Sequence, residues 1–453
     1  MTVMPSRLLL LLRNTVRDRL WPIPVLGVVL AIVGGQLVPR LDAAVDGRLP
    51  GWLDAVAFGG DAGAAQTVLD AVGSSLITVT SLTFSLTVVT LQLASSQFSP
   101  RLLRTFTQDL FVQVTLAVFL ATFAFSLTVL RSVRSEAEST QPFVPRLAVT
   151  CSYLMAMVSV VALVLFLAHL TRQIRVETML GTVCRDARST LAAVLPPLAE
   201  GERWPVAPTV PPDARTVLAH GSGFLLRLDR RRLVAAAAEA DLVLLVDRPI
   251  GSFLVEGTPL GRLWRSDGSA PSSADEDRLR RALDRAVRLG PERTSTEDLA
   301  YGLRQLTDVA NKALSPGIND PTTAVHAVVR TGELLADLGR HELGSRVLDD
   351  DEGTVRLVVA SPGFDELLDA AVTPSRRFGA ADSRVLGALY QLLADVAWNA
   401  RPEHRDAIRQ QARRLDQTAA AQDFDEEQRT GLTAARQGVD RALDEPVPGG
   451  PPA

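Results

Sequence analysis

The chain is poor in cysteine and histidine, the residue types that most often build metal sites and disulfide frameworks. Its two cysteines, Cys151 and Cys184, fit neither a CxxC pattern nor the spacing of a zinc site. We therefore expect no disulfide and no structural zinc, and we interpret both cysteines as small packing residues. The five histidines are scattered and form no HExxH motif: they are His169, His220, His326, His341 and His404.

Motifs of catalysis are also missing. The sequence has no GxSxG, no P-loop and no GxGxxG that opens a helix. From these absences we expect no enzymatic activity, no cofactor and no bound metal. The formal net charge is −4, which leaves no overall basic character of the kind that favours nucleic acid, so nucleic acid is not an expected partner.

Lysine is almost absent, because Lys312 is the single lysine among 47 lysines and arginines. A chain so biased toward arginine could retain one lysine where a compact, titratable amine is needed. The alternative is an exposed surface lysine with no special role, since lysine side chains are usually found on protein surfaces. The sequence leaves both interpretations open.

Apolar sequence is abundant, and it is concentrated before Leu170. Four stretches, beginning at Trp21, Ser74, Leu110 and Leu147, are long enough to cross a hydrocarbon core of about 30 Å, which takes roughly 20 helical residues. We interpret the first, Trp21 to Val38, as a retained span because no small-residue cleavage site follows it. The predicted fold is membrane α-helical, with four transmembrane helices followed by a cytoplasmic α+β region that is mostly helical.

Arginine is biased to one side of these spans. Arg7, Arg13, Arg17 and Arg19 precede the first, Arg101 and Arg104 follow the second, and Arg172 and Arg175 follow the fourth. The loop after the first span instead carries Asp42, Asp46, Asp54 and Asp61. Because short cytoplasmic loops are enriched in arginine, this pattern predicts a membrane protein with both termini in the cytoplasm and the lipid bilayer as a partner.

The second predicted span, SSLITVTSLTFSLTVVTLQLASSQFSPR, carries a hydroxyl or amide side chain at nearly every second or third position. At about 100° per residue, these side chains form two stripes on nearly opposite faces of a helix. One stripe comprises Asp70, Ser74, Thr78, Ser81, Ser85, Gln92, Ser96 and Ser99, and the other comprises Thr80, Thr83, Thr87 and Thr90. Since neither face suits lipid, we expect this helix to sit centrally among other helices and the protein to form a homo-oligomer.

Two interpretations of the serine stripe stay open. Small polar residues allow close helix packing, with hydrogen bonds worth about 0.6–2 kcal/mol each. Alternatively, the stripe lines a pore around an oligomer axis, with Val88 and Val89 as a dewetting constriction. Asp70 would then favour cations at the outer mouth, and Arg101 and Arg104 would favour anions at the inner one. Inorganic ions are therefore possible partners in this interpretation, and the sequence does not determine whether they are cations or anions.

The predicted organisation has six parts. They are a basic cytoplasmic N-terminus (1–20), the transmembrane domain (21–175), a connecting helix with a proline-rich linker (176–212), a small α/β or barrel-like module (213–265), a mostly helical domain (266–444) and a disordered tail (445–453). In the small module, FLLRLD, DLVLLV and SFLVEG have strand character, and RRRLVAAAAEA between the first two is helical. After residue 266 a single strand is expected, in GTVRLVVA from Gly353 to Ala360.

The segment NKALSPGINDPTTAVHAVV predicts a corner between two helices. The first helix stops at Ser315-Pro316-Gly317, and the next begins with Asp320 as N-cap and Pro321 in its first turn. Backbone chemistry alone explains these residues. A ligand-binding role for Lys312, Asn319 and Asp320 is the alternative.

Two segments taken together, TVTSLTFSLTVVTLQLASSQFSPRLLRTF and ALSPGINDPTTA, resemble the bacterial predicted membrane proteins catalogued as domain of unknown function number twenty-two fifty-four. The resemblance extends from the first span to about Asn399. It implies an inner-membrane protein with a large cytoplasmic region, and it supplies no functional residues.

Two functional hypotheses follow from the residues. In the first, the protein is a homo-oligomeric ion channel or pore, lined by the second span and gated by its cytoplasmic domain. In the second, it is a membrane-anchored scaffold or sensor whose cytoplasmic domain binds a protein partner or a small ligand. Four spans and a long polar stripe exceed what a simple anchor needs, which favours the channel.

Overall fold

The computed structural model describes residues 21–45, 57–97, 109–134, 143–173, 175–195 and 205–445. The chain divides into two compact units, Met1–Arg175 and Val176–Ala453, and each is described by itself. The predicted N-terminal segment 1–20 lies outside the described residues, as does all but the first residue of the tail 445–453.

The first unit contains four helices of membrane-spanning length and composition: α1 (Pro22–Val45), α2 (Ala62–Gln97), α3 (Leu110–Leu130) and α4 (Arg146–Gln173). At 1.5 Å per residue, the shortest of them is about 31 Å long, enough to cross a hydrocarbon core. The four predicted spans are therefore confirmed as apolar helices.

Two of these helices extend beyond their predicted bounds. α1 continues past Val38 and includes Asp42, which the sequence analysis assigned to the first loop. Asp42 is buried there, and its Oδ2 accepts a hydrogen bond of 2.8 Å from the backbone N–H of Leu147 at the start of α4. α2 begins at Ala62, well before Ser74.

The central helix of the unit is α3, which contacts α1, α2 and α4. Its hydroxyls pair with those of α4, with Thr122 and Ser159 oxygens 3.1 Å apart and Ser126 and Ser152 oxygens 2.6 Å apart. The expectation that α2 occupies the centre is wrong within one chain, because α3 presents buried residues on more sides and α2 leaves one face exposed.

The second unit begins with α5 (Val176–Val194) and continues as a mixed region of helices and strands. Its strands are β1 (Arg215–Leu218), β2 (Gly223–Leu228), β3 (Leu242–Val246), β4 (Phe253–Leu254), β5 (Pro259–Arg265), β6 (Val287–Gly290), β7 (Arg346–Asp349) and β8 (Val355–Val359). Its further helices are α6 (Arg230–Glu239), α7 (Ser273–Ala286), α8 (Leu299–Ala313), α9 (Pro321–Gly339), α10 (Phe364–Phe378), α11 (Ser383–Asn399), α12 (Arg405–Ala420) and α13 (Glu426–Asp444).

The strands form two sheets, in the orders β1-β5-β3-β8-β7 and β4-β2-β6. β3 and β8 run parallel, with Leu244 beside Leu357 and Val246 beside Val359, and the other pairs are antiparallel. The segments 213–265 and 266–444, which the sequence analysis separated, therefore share both sheets. The expectation of a single strand after residue 266 is wrong, because that segment contains three strands: β6 pairs with β2 in one sheet, and β7 pairs with β8 in the other.

A leucine-rich core holds the sheets and their helices together. Leu225 of β2, Leu244 of β3, Leu263 of β5 and Leu357 of β8 are all buried in one cluster with Leu233 of α6. α8 to α13 extend this unit, with α11 contacting α9, α12 and α13.

Candidate functional site

The two polar stripes of α2 lie in opposite environments. Thr80, Thr83, Thr87 and Thr90 are all buried, on the face that packs into the four-helix unit. Three of their hydroxyls donate to carbonyls of their own helix: Thr80 to Leu76 at 2.6 Å, Thr87 to Thr83 at 2.8 Å and Thr90 to Leu86 at 2.8 Å. This back-bonding satisfies a hydroxyl without a partner helix or a water path, so these three threonines are compatible with packing, whereas the Thr83 hydroxyl is buried without a hydrogen-bond partner.

The serine stripe is on the exposed side of the same helix. Asp70, Ser74, Thr78, Ser81, Ser85, Val88, Val89 and Gln92 are all exposed. The backbone of Ser96 lies in α2, but its side chain is outside the described residues, as are Ser99, Arg101 and Arg104. The structure thus places every described member of the predicted pore-lining set on one continuous exposed face.

Apolar residues border this face on both sides. At about 100° per residue, Ile77 and Phe84 follow one edge of the serine stripe, and Leu82 and Leu93 follow the other. Phe84 and Leu82 are each 58% exposed. The exposed half of α2 is therefore polar along its middle and apolar along its margins.

The exposed faces of α1 and α4 have a different chemistry. On α1 between Val25 and Val33 and on α4 between Tyr153 and Leu167, every exposed side chain except the Tyr153 phenol is purely apolar. Ser159, the one other polar residue of α4 in that range, is buried. The exposed faces of α1 and α4 are therefore apolar, whereas that of α2 carries a polar stripe, in which Ser74 and Thr78 donate to carbonyls of their own helix at 3.3 and 3.0 Å.

The predicted helix corner is confirmed. α8 ends at Ala313, and Asp320 caps α9 by accepting a hydrogen bond of 3.1 Å from the backbone N–H of Thr323. The hydrogen bonds from Thr323 hold the pKa of Asp320 below its usual range. Asn319 has a φ of 50°, in the left-handed region that asparagine tolerates better than most residues. The corner is thus a backbone feature.

Lys312 lies exposed in the last turn of α8, where its charge complements the helix dipole. None of Lys312, Asn319 and Asp320 lines the groove among α11, α12 and α13 described below. Within the described part of the chain, no group of three or more histidine, cysteine and acidic side chains could hold a metal ion.

The model of one protein family, described as "Predicted membrane protein (DUF2254)", matches residues 17–395. This match covers most of the chain. The chain belongs to the DUF2254 family. The resemblance noted from the α2 and ALSPGINDP segments is therefore confirmed.

Curated relatives are uncharacterized proteins of mycobacteria. One from Mycobacterium bovis and one from Mycobacterium tuberculosis are each 35% identical to this chain over 434 residues, covering 95% of this chain and 82% of the relative. No solved structure matches the chain significantly. The comparisons support a membrane protein and carry no activity over to it.

In this DUF2254 protein the second unit also holds a partly buried cluster of charges, of which Asp298 is fully buried and Arg227 is exposed, and the sequence analysis did not predict it. Glu297 lies 3.2 Å from Arg227 and 3.3 Å from Arg230, and Arg293 lies 2.6 Å from Asp298. Burial raises the pKa of both Glu297 and Asp298, against the lowering effect of these arginines. The residues come from β2, α6 and the loop before α8, so no local motif in the sequence reports the cluster.

A groove runs among α11, α12 and α13. Its wall contains Phe424 and Leu432, and within it the Tyr390 hydroxyl donates to Asp416 Oδ1 at 2.7 Å. Arg436 Nε donates to both oxygens of Asp416 at 3.1 Å. Burial and the neighbouring Asp416 raise the pKa of Tyr390. Because its polar groups are already mutually bonded, we interpret this cluster as holding the three helices together.

Proposed function

We propose that the protein is a homo-oligomeric ion channel or pore of the bacterial inner membrane. The observation that carries the proposal is the contrast among its exposed helix faces, polar on α2 and apolar on α1 and α4. Placing a long polar face against lipid tails costs free energy, because lipid offers the polar groups no hydrogen-bond partners. Gathering the α2 helices of several copies around an axis removes that cost and lets water reach the hydroxyls.

The arrangement of residues across the exposed half of α2 suits such an assembly. Its polar middle would face the axis, and its apolar margins, including Phe84 and Leu82, would contact the neighbouring α2 helices. Val88 and Val89 then form an apolar ring where water is least stable, which is a gate by dewetting. The second unit would be the part of each subunit that responds to a cytoplasmic signal.

The orientation belongs to this proposal. The arginine bias around the spans supports cytoplasmic termini, which puts Asp70 of α2 at the outer mouth and Arg101 and Arg104 at the inner one. No catalytic role, cofactor or nucleic-acid partner is part of the proposal.

Ion flux tests the proposal directly. We expect purified protein in liposomes to conduct ions, and Ser85→Leu to lower the flux at least about tenfold, because it extends the apolar constriction by about one turn. The control is Val161→Leu, a smaller enlargement on the exposed face of α4. The oligomer of each variant is measured by light scattering in detergent.

Three results are informative. Loss of flux in Ser85→Leu with an intact oligomer and normal flux in Val161→Leu supports the pore. Loss of the oligomer in Ser85→Leu assigns the stripe to packing. An absence of flux for monovalent cations and anions, at several pH values and under membrane tension, overturns the channel and favours a membrane-anchored scaffold or sensor.

A further inference from the structure

The corner between α8 and α9, residues 314–320, presents an apolar side chain to its surroundings from a hydrogen-bonded backbone. The backbone N–H groups of Ile318 and Asn319 both donate to the carbonyl oxygen of Ser315, at 3.0 and 2.9 Å. The Ile318 side chain is nevertheless 39% exposed, and Pro316 is exposed beside it. A single exposed isoleucine is ordinary on a surface that faces water, so its meaning depends on where the corner lies.

The direction of α9 places the corner at the N-terminal end of α5. Near the beginning of both helices, Glu177 of α5 lies 3.5 Å from His326 of α9. Towards the end of both, Arg188 of α5 lies 2.6 Å from Asp337 of α9. The two helices therefore run in the same direction, and the corner, which precedes α9, lies beside the beginning of α5.

The direction of α8 gives the same result. A methyl group added at Gly302, near the beginning of α8, would lie 2.5 Å from Cβ of Ala187 in the second half of α5. The Thr190 hydroxyl of α5 donates to the carbonyl oxygen of Ser295, before α8, at 2.5 Å. α8 thus runs opposite to α5, and its last turn, which carries Lys312, also lies at the N-terminal end of α5.

The corner extends past the first residue of α5. His326 lies level with Glu177, and at 1.5 Å per residue Pro321, where α9 begins, is about 8 Å before that level. α5 itself begins at Val176, only one residue before Glu177. Ile318 comes before Pro321, so it lies at least about one helical turn beyond the beginning of α5.

The chain reaches α5 directly from the membrane. α4 has 28 residues and is about 42 Å long, the thickness of a bilayer with its headgroup layers, so its last residue, Gln173, lies near headgroup level. From Gln173 to Val176 the chain can span at most about 11 Å. This tether keeps the beginning of α5, and with it the corner, close to the headgroups for any orientation of the second unit.

Lys312 supplies a charge suited to that layer. It is exposed in the last turn of α8 and forms no ion pair with a described residue. A lysine has an apolar stem and a compact ammonium group, so it can lie along acyl chains and reach a lipid phosphate. Arg172 and Arg175 add positive charge nearby, and Glu177 and Asp320 offset it. The fitting group is thus the phosphate that every phospholipid carries, rather than an additional anionic charge.

We propose that the corner between α8 and α9 is a membrane-interface anchor, which inserts Ile318 into the headgroup layer and places the Lys312 ammonium on a lipid phosphate. The partner is the phospholipid bilayer that α4 crosses. One isoleucine and one lysine are too few to hold a protein at a membrane, so the anchor orients a unit that α4 already tethers. It is independent of the proposed pore, and either can fail without the other.

Quenching by lipid tests the insertion of Ile318. The full chain carrying Cys151→Ser, Cys184→Ala and Ile318→Cys is labelled with bimane and placed in nanodiscs of phosphatidylcholine and phosphatidylglycerol. Phosphatidylcholine brominated near the headgroup should remove about half of the emission, because interfacial side chains lie about 5–10 Å into the boundary of headgroups and acyl chains. The matched control is Val329→Cys, which is 55% exposed on α9 and about 12 Å farther from the corner.

The two labels separate the outcomes. Strong quenching at position 318 with little at position 329 supports the anchor. An absence of quenching at position 318 overturns it. Equal quenching at both positions also overturns it, because the whole exposed face of α9, and not the corner, would then lie on lipid.

The single lysine allows a second test in the same nanodiscs. A water-soluble acylating reagent can modify only Lys312 and the N-terminal amine, and mass spectrometry separates the two products. An ammonium held on phosphate resists acylation, so Ile318→Ser should raise the rate at Lys312 at least about threefold, the equivalent of half a pKa unit. Val329→Ser should leave that rate unchanged, and the N-terminal amine serves as the internal reference. Equal rates at Lys312 in wild type and Ile318→Ser would overturn the lipid contact of this lysine.

Discussion

His404 shows how burial sets the chemistry of a single residue in the second unit. Its ring stacks on Phe364 with centroids 4.4 Å apart, and its Nε2 lies 3.1 Å from the carbonyl oxygen of His341. Burial lowers its pKa, against the opposing effects of that carbonyl and of Glu403, while Arg401 lowers it further and Asp365 raises it. The unfolded chain therefore binds this proton more readily than the folded chain does.

Stability should depend on His404 below neutral pH. Above a pH of about 6.5, the ordinary pKa of histidine in an unfolded chain, the neutral ring contributes fully to the free energy of unfolding. As the pH falls below that value, this contribution decreases by at most about 1.4 kcal/mol per pH unit. His404→Gln keeps an N–H in a similar place and cannot titrate. We expect the melting midpoints of wild type and His404→Gln to converge or cross as the pH falls from 7.5 to 5.5. Curves that stay parallel would contradict the assignment.

Contacts between residues that are close in the sequence were predictable. Asp320 caps α9 three residues before the N–H that it binds, and the pattern of Asp320 and Pro321 is enough to predict that contact. The contacts of Arg356 with Asp241 at 2.8 Å and with Ser266 at 2.6 Å were not predictable, because these partners are 115 and 90 residues away in the sequence. Sequence patterns within one element carry no record of such pairings.

At the scale of elements, long helices were easier to predict than short strands. The four apolar helices and α6 follow from composition and periodicity, whereas β6 and β7 have only four residues each. β6 is stabilised by pairing with β2, and β7 by pairing with β8. The central position of α3 was equally hidden, since it depends on which faces of α1, α2 and α4 match it.

The contact between α1 and α3 depends on one glycine of the Gly34-Gly35 pair. A methyl group added at Gly35 would lie 2.8 Å from Thr128 Cβ, whereas one added at Gly34 would lie 3.8 Å from the Phe125 ring, an ordinary contact. Gly35→Ala should therefore destabilise the membrane unit by about 1–3 kcal/mol through overpacking. Gly34→Ala, the matched control, should change it little. Thermal unfolding in detergent compares them, and equal losses would show that helix flexibility rather than contact matters.

For the whole molecule, the decisive question is what covers the serine stripe of α2. Ser85 is exposed, Thr87 is buried two residues away, and Val160 on α4 is exposed and surrounded by apolar neighbours. These positions distinguish a hydrated axis, a packed interior and a lipid-facing surface. Single cysteines at each can report which environment is present, after Cys151→Ser and Cys184→Ala remove the native thiols.

A thiol reacts as its thiolate, which forms readily in water and poorly in an apolar medium. We expect Ser85→Cys in membranes to react with a charged, water-soluble thiol reagent at least about tenfold faster than Thr87→Cys or Val160→Cys. Ser85→Cys should also form a disulfide with its counterpart in a neighbouring subunit, because a pore brings identical positions together. Slow labelling with efficient cross-linking would place the stripe in a dry interface between subunits. Slow labelling without cross-linking would mean that α2 faces lipid and that the channel proposal is wrong.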